Sequence, residues 1–472
     1  MQNAPLHFRP SISKRALAGG LAAGASAAGG QAEFERFGGW TGLRFEKTGF
    51  FRLERRRRWW FVTPEGNAFL VFGINHAGAE LLRQPCNRDY WLKSFGASNA
   101  QEPLFLEGFR RRVEADMEAF GFNSFGCHTS TRPWKPNRYP YIHPFTTVRI
   151  HHHDTPADAD FQDVFAPGFA ALCERRATEE DLATLARDPF LIGYSFTDCP
   201  IWSELEAASR QVVVYGAPRA ATSAWPRVLR NLPATAPGEQ AYAGLRKRRY
   251  GDIAALNRAY ERKFNSFDHL AGAVNWRPAA DPLNAAEASD NEAFLLEILE
   301  RYYATMAATV RRFDPHHLIP GDKLNGNTGT PASVAQVAAK HTDAIFYQWY
   351  AYYGEQKSRL DEWSRATGKP LLNGDSTYSV PSREMPRPLG PHCATAEERA
   401  RRLNEFARCA YSRPDFVGRD VCGWMDGWNA IPGREVRRHG GMQDPFGRRD
   451  EHAVRVLKRF SQQMYGLVAD AC

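Results

Sequence analysis

The stretch Asp188-Pro189-Phe190-Leu191-Ile192-Gly193-Tyr194-Ser195-Phe196-Thr197-Asp198-Cys199-Pro200-Ile201-Trp202 decides the reading of this chain. A continuous apolar run of this length, opened by Asp-Pro and closed by polar residues, suits a parallel strand covered on both faces. Lys369-Pro370-Leu371-Leu372-Asn373-Gly374-Asp375 repeats the theme. Working outward, six further runs follow the same plan: Phe69–His76, Gly121–Thr129, a weak one at Tyr141–Ile150, Leu318–Asn325, Ala344–Tyr350 and Val421–Asn429. The two quoted runs extend over Phe190–Trp202 and Pro370–Tyr378, which makes eight. Helical periodicity fills the gaps at Gly108–Phe120, Ala170–Arg187, Asn291–Phe313, Pro331–His341, Gln356–Thr367 and Ala396–Ser412. Eight strand–helix units predict an α/β fold, a (β/α)8 TIM barrel, with an open doubly wound sheet as the alternative. No Gly-rich phosphate-binding motif follows any run, so no nucleotide cofactor is expected.

Phe50–Leu53 and Trp59–Thr63 predict an N-terminal β-hairpin, and Pro64-Glu65-Gly66-Asn67 a turn into the first barrel strand. The run Arg55–Arg58 falls in that hairpin and reads as a solvated turn rather than an anion or nucleic-acid contact. A long insertion follows strand four, at about residues 203–290, and is expected to sit as a lobe on the barrel's catalytic face.

The whole chain has 472 residues, 43% of them apolar and 24% charged, with a net charge of +8. That balance excludes general disorder and gives no reason to expect a nucleic-acid partner. Residues 1–33 stand apart from the domain expected over 34–472. Lys14-Arg15 precede the Ala/Gly-rich segment Ala16–Ala27, an arrangement that resembles a twin-arginine export signal with Lys-Arg in place of the arginine pair. A periplasmic or secreted location is the expectation, and a cytoplasmic one if this leader is only a tail. No apolar run is long enough for an integral membrane segment. The eight cysteines include no Cys-x-x-Cys pair, and the run His151-His152-His153-Asp154 alternates faces. Neither predicts a metal site.

Barrel chemistry sits at the C-terminal ends of the strands. Those ends carry Asn75, His76, His128, Asp198, Trp202, Lys323, Asn325, Gln348, Trp349, Asp375, Tyr378, Trp424, Asp426 and Trp428. Paired carboxylates with aromatic platforms and amide or imidazole donors suit glycoside hydrolysis, in which one carboxyl protonates the leaving oxygen and the other attacks or stabilises the anomeric carbon. A carbohydrate substrate is therefore expected, with Trp349, Trp424 and Trp428 as candidate stacking surfaces and no cofactor.

Several segments resemble agarase-type glycoside hydrolases and β-galactosidase-like barrels of the same clan. Phe61–Phe69 running into Gly73-Ile74-Asn75-His76 is similar to the opening of the agarase-type enzymes, and Asp188–Tyr194 to the approach to their acid/base strand. Tyr250–Tyr260 with Phe264-Asn265-Ser266-Phe267, Lys369–Asp375, and Gly440-Gly441-Met442-Gln443-Asp444-Pro445-Phe446-Gly447 resemble further segments in the same order. The resemblance implies a hydrolase of a galactan- or agar-like polysaccharide. It places the nucleophile at Asp375 and the acid/base at Asp198-Cys199, where the clan usually has Glu and Asn-Glu. Two shorter side chains could widen the carboxylate gap by about 2 Å, which leaves retention or inversion open. Glu204 is the reserve acid. Asp198, beside Cys199, Pro200 and Trp202, is expected to have the raised pKa of an acid, and Asp375 to stay ionised if Lys323 is near. A lyase or transglycosylase, or a carbohydrate-binding protein on a hydrolase fold, are the alternatives.

Overall fold

The computed structural model describes residues 33–129, 138–151, 160–204, 206, 213–214, 217–218, 224–277, 283–381, 387–388, 390–431 and 434–469. The leader, His152-His153-Asp154 and Cys472 lie outside them. Eight parallel strands close into a barrel: strand one Val71–Ile74, two Ser124–Phe125, three Tyr141–Pro144, four Leu191–Asp198, five Leu318–Asn325, six Ile345–Gln348, seven Leu371–Ser376 and eight Phe416–Val421. Strand eight pairs with strand one, from Gly418 with Val71 to Val421 with Ile74, which completes the ring.

The eighth strand corrects the expectation. Val421–Asn429 is not the strand: Phe416–Val421 is, and Gly427–Ile431 pairs instead with Arg434–His439 in a hairpin beyond the barrel rim. Arg419 and Asp420 interrupt the apolar run and hid it. The fold accommodates both. The Arg419 side chain donates to Ser376 Oγ at 2.9 Å and lies over the Phe406 ring at 4.3 Å. Asp420, on the opposite face, is buried inside.

The barrel floor is a single apolar layer. Val71, Ile142, Ile192, Leu318, Phe346, Leu372 and Val417 cluster with Phe37, Phe51, Phe61 and Phe69 of the N-terminal segment. That segment forms a four-stranded antiparallel sheet, in which the hairpin Arg52–Arg55 with Trp59–Val62 is joined by Asn67–Phe69 and Trp40–Arg44. Its role follows from the floor: without it the apolar lower end of the barrel would face water. The arginine run is the turn of this hairpin. Arg58 departs from a solvated turn, because its guanidinium is buried and donates to the carbonyls of Tyr411 and Phe416 at 2.8 and 2.7 Å.

The insertion after strand four contributes helices Trp225–Leu229, Pro237–Tyr250, Ile253–Tyr260 and Phe267–Gly272. It is tied to the long helix Ala285–Phe313, which Asn284 caps by accepting from the Glu287 N–H. The tie is ionic, and its carboxylates are buried. Arg230 and Arg277 both pair with Glu287, and Arg249 pairs with Asp290. The far half of the same helix returns to the barrel, where Tyr302 donates to Asp322 on strand five.

Glu239 is the exception in this network. It is fully buried and neither of its carboxylate oxygens has a hydrogen-bond partner. Burial pushes its pKa up to about 9, against the opposing pull of Arg246 and Arg230. The folded state therefore holds a proton that the unfolded chain releases near its ordinary carboxylate value. The stability linked to that proton is complete below the unfolded pKa and is lost as pH rises toward the folded one. Glu239→Gln should raise the melting temperature at pH 8, with the gain shrinking toward pH 5. A gain that does not vary with pH would contradict this.

Candidate active site

Strand five decides the centre of the mouth. Its side chains alternate, so Asp322 turns outward to accept from the Thr197 N–H and Tyr302, while Lys323 turns into the barrel. Lys323 is 1% exposed. Gly374 on strand seven makes room first for the Phe346 ring, 2.1 Å from where a Cβ would lie, and then for Lys323 Cδ at 2.9 Å. The ammonium reaches Asp198 Oδ1 at 2.8 Å and Asp375 Oδ2 at 3.4 Å. It also touches His128 Nε2, and donates to Gln348 Oε1 at 3.4 Å. The ammonium thus bridges the two carboxylates, one from strand four and one from strand seven.

Strands one and two complete the ring around this ion pair. Asn75 is buried and donates to Gly374 O and Asp375 Oδ1, while its own oxygen accepts from the His128 N–H. His128 Nε2 lies 3.5 Å from Asp198 Oδ2 and 3.6 Å from Asp375 Oδ2. His76, in the left-handed region at φ 57°, stacks on His128 with ring centroids 4.7 Å apart. Strand four ends at Asp198, and Cys199 takes φ 46°. The chain thus turns at the strand end, burying the thiol and leaving Asp198 as the partly open carboxylate.

The electrostatics correct one expectation. Burial opposes ionisation of Asp198, but Lys323 and His128 overcome it and hold the carboxyl well below the usual carboxylate range. The raised pKa expected of an acid is not there. Asp375 behaves as expected, with burial again outweighed by Lys323 and His128. The two carboxylates in turn raise the Lys323 ammonium well above its ordinary value, against burial. Burial and the neighbouring His128 push His76 down to about 3, so its imidazole is neutral.

His76, His128 and Asp375 bring three potential ligand atoms within 4.8 Å of one another. They do not fit a metal ion. The two rings are nearly parallel, 5° apart, so their lone pairs do not converge on one point, and Lys323 already supplies a cation to the carboxylate and the imidazole.

Other expected site residues lie elsewhere. Trp202 is fully buried and stacks on Trp225, because the lobe folds over it. Trp424 is buried, donates to Asp116 and meets Phe109 edge-on. The Tyr378 hydroxyl donates to Ala351 O, and the Asn325 side-chain oxygen caps its own loop by accepting from Asn327 and Thr328. Glu204 pairs with Arg227 at 2.7 Å. Asp426 accepts from the Gly440 and Gly441 N–H groups and pairs with His439, holding the segment after strand eight. Trp349 remains a candidate wall: it is half-buried against Trp363, with its indole over Gly326. Trp428 lies in the rim hairpin, and its side chain is outside the described residues.

One group escaped the sequence reading. Asp420 of strand eight projects into the barrel, close against Gly73 and Gly126, and neither of its carboxylate oxygens has a hydrogen-bond partner. Burial and the Asp375 charge raise its pKa well above the usual range, so it is a neutral acid. Tyr350, after strand six, is raised by burial and by the same Asp375 charge. Asp420 was illegible because its strand was misplaced, whereas Tyr350 already stood at the end of a recognised strand.

No protein-family model and no curated protein matches this chain. Solved structures are similar to it. An exo-β-agarase superposes with a TM-score of 0.73 at 19% identity, over 92% of this chain and 68% of its own. An agarase, AgWH50C, gives 0.75 at 17% identity with the same coverage, and PfGH50B gives 0.72 at 18% over 92% and 69%. At these identities the likeness establishes the barrel fold.

The burial pattern separates two tryptophans. Trp202→Ala should cost about 3–5 kcal/mol of stability, as a large buried aromatic does. Trp349→Ala should leave most of the stability and weaken binding of a sugar at the mouth. Equal losses of stability in the two variants, measured by denaturant unfolding, would show that Trp349 is core as well.

Proposed function

We propose that the chain is a glycoside hydrolase acting on a galactose-type glycone of the kind found in agar. Asp375 is the nucleophile, and Asp198 is the carboxylate that activates water. The observation that carries this reading is the facing of two ionised carboxylates, from strands four and seven, across the mouth of a barrel similar to those of solved agarases. We take the bridged pair to work by double displacement with retention. In the first half Asp375 attacks the anomeric carbon. In the second, water replaces it with its proton drawn toward Asp198. His76 and Gln348 stand where they can bond sugar hydroxyls, and Trp349 offers an apolar face. Export by the leader belongs to the same reading, and cell fractionation tests it.

A second reading is favoured by one observation. Lys323 neutralises much of the charge on both carboxylates, which suits a carbohydrate-binding protein that retains the fold without turnover. The two readings part on one experiment. Asp375→Asn should abolish hydrolysis of activated β-galactosides, a loss of about a thousandfold or more, while leaving sugar binding and folding in place. A mechanism-based fluorosugar should label Asp375 in the native protein. Sugar binding without either turnover or labelling would establish the binder.

A further inference from the structure

We propose that Asp420 is a positioning residue for the reaction: its carboxyl O–H donates to the side-chain oxygen of Asn75, and through Asn75 it aims Asp375. The inference rests on the hydrolase reading above for what Asp375 does, and adds the residue that sets its geometry.

Asp420 stands inside the barrel because strand eight alternates, with Arg419 turned outward to Ser376 and Phe406. Its register partner on strand one is Gly73. The missing side chain there admits the carboxyl, since a Cβ on Gly73 would lie 2.1 Å from Asp420 Oδ1 and 2.7 Å from Ser124 Oγ. Gly126, just after strand two, does the same on another side. A Cβ on Gly126 would lie 2.1 Å from Asn75 Oδ1 and 2.7 Å from Asp420 Cγ. The Asn75 amide oxygen and the Asp420 carboxyl thus flank one point, in a hollow that two glycines keep open.

The surroundings set the direction of the bond. A buried carboxylate needs donors, and neither Asp420 oxygen receives one. Its neighbours offer acceptors instead. The Ser124 hydroxyl gives its proton to Asn123 Oδ1 at 3.1 Å. Asn75 Oδ1 receives the His128 N–H at 3.1 Å, which fills one of the two lone pairs of an amide oxygen. A carboxylic acid complements this arrangement and a carboxylate does not. Burial first, and the Asp375 charge second, hold the Asp420 pKa well above the usual carboxylate range, against the pull of Lys323. Cys127 and Tyr411 also feel Asp420. Burial pushes the thiol up to about 12 and the phenol well above its ordinary value, so both keep their protons.

Asn75 converts that bond into aim. Its amide donates to Gly374 O at 2.7 Å and to Asp375 Oδ1 at 3.2 Å. The last torsion of an asparagine is intrinsically broad, so its direction comes from its partners. With the oxygen held between the His128 N–H and the Asp420 O–H, the planar amide points its N–H bonds at the nucleophile.

The test uses the full chain. In carbon-13 NMR, with the Asp420 carboxyl assigned by its loss in Asp420→Asn, that carboxyl should sit at the protonated position at neutral pH. An ionised Asp420 at neutral pH would overturn the inference. Raising the pH until Asp420 ionises should shift the Asn75 side-chain amide and the His128 backbone amide at the same pH, and signals indifferent to that ionisation would overturn it too. Kinetics on an activated β-galactoside separate aim from packing. Asp420→Leu keeps the volume and removes the O–H, so kcat should fall about ten- to a hundredfold with KM changed less than about threefold. Asp420→Asn puts an N–H donor in place of the O–H and should recover most of the native kcat. A folded Leu variant with native kcat, or an Asn variant more than about tenfold slower than native, would overturn the inference and leave the hydrolase reading standing. If Asp420→Leu does not fold, the Asn variant and the NMR titration decide. Native protein that turns over no activated β-galactoside would overturn the hydrolase reading, and the NMR titration would then decide whether Asp420 holds Asn75.

Discussion

One ammonium organises the mouth of this barrel. Lys323 is buried with two carboxylates and an imidazole around it, and each of those groups is held in place partly by the others. Removing one partner from such a cluster typically costs about 3–5 kcal/mol, because the remaining charge is left buried and unpaired. The surrounding architecture serves the cluster. Gly374 leaves room for the Phe346 ring and the lysine stem, Asn75 fixes Asp375 and His128 together, and the turn at Cys199 leaves Asp198 at the open side. The same charge acts on chemistry in two directions. It keeps both carboxylates ionised, and it withdraws electron density from the one expected to attack.

The supporting structure divides into an apolar floor and a polar rim. The N-terminal sheet closes the floor with four phenylalanines, so the barrel is a packed core below and a charged cup above. The lobe after strand four is fastened to the long helix by arginines paired with buried carboxylates rather than by apolar contact alone. Such pairs are costly to break and geometrically demanding, which suits a lobe whose position relative to the rim matters.

The barrel was legible because seven of its strands are apolar runs that end in polar residues, as Phe190–Trp202 and Pro370–Tyr378 do. The eighth was misread because Arg419 and Asp420 break the apolar pattern, and only tertiary partners explain them. The strand ends bring Asn75, His76, His128, Asp198, Lys323, Gln348 and Asp375 together at the mouth. Trp202, Trp424, Tyr378 and Asn325 are instead engaged in packing and loop contacts, because a residue at or just past a strand end can turn back under a loop, and periodicity does not record that turn. The protonation of Asp198 was misjudged for a related reason: its sequence neighbours suggested a dry pocket, while the deciding neighbour, Lys323, is more than a hundred residues away.

The central claim is that Lys323 holds Asp198 and Asp375 ionised together. Carbon-13 NMR of the aspartate carboxyl groups, assigned with Asp198→Asn and Asp375→Asn and followed through a pH titration, tests it most directly. Both carboxyl signals should stay at the ionised position from neutral pH down past about pH 4, the ordinary aspartate value. In Lys323→Gln one of them should instead titrate above it. A native Asp198 signal that protonates near neutral pH would contradict the account.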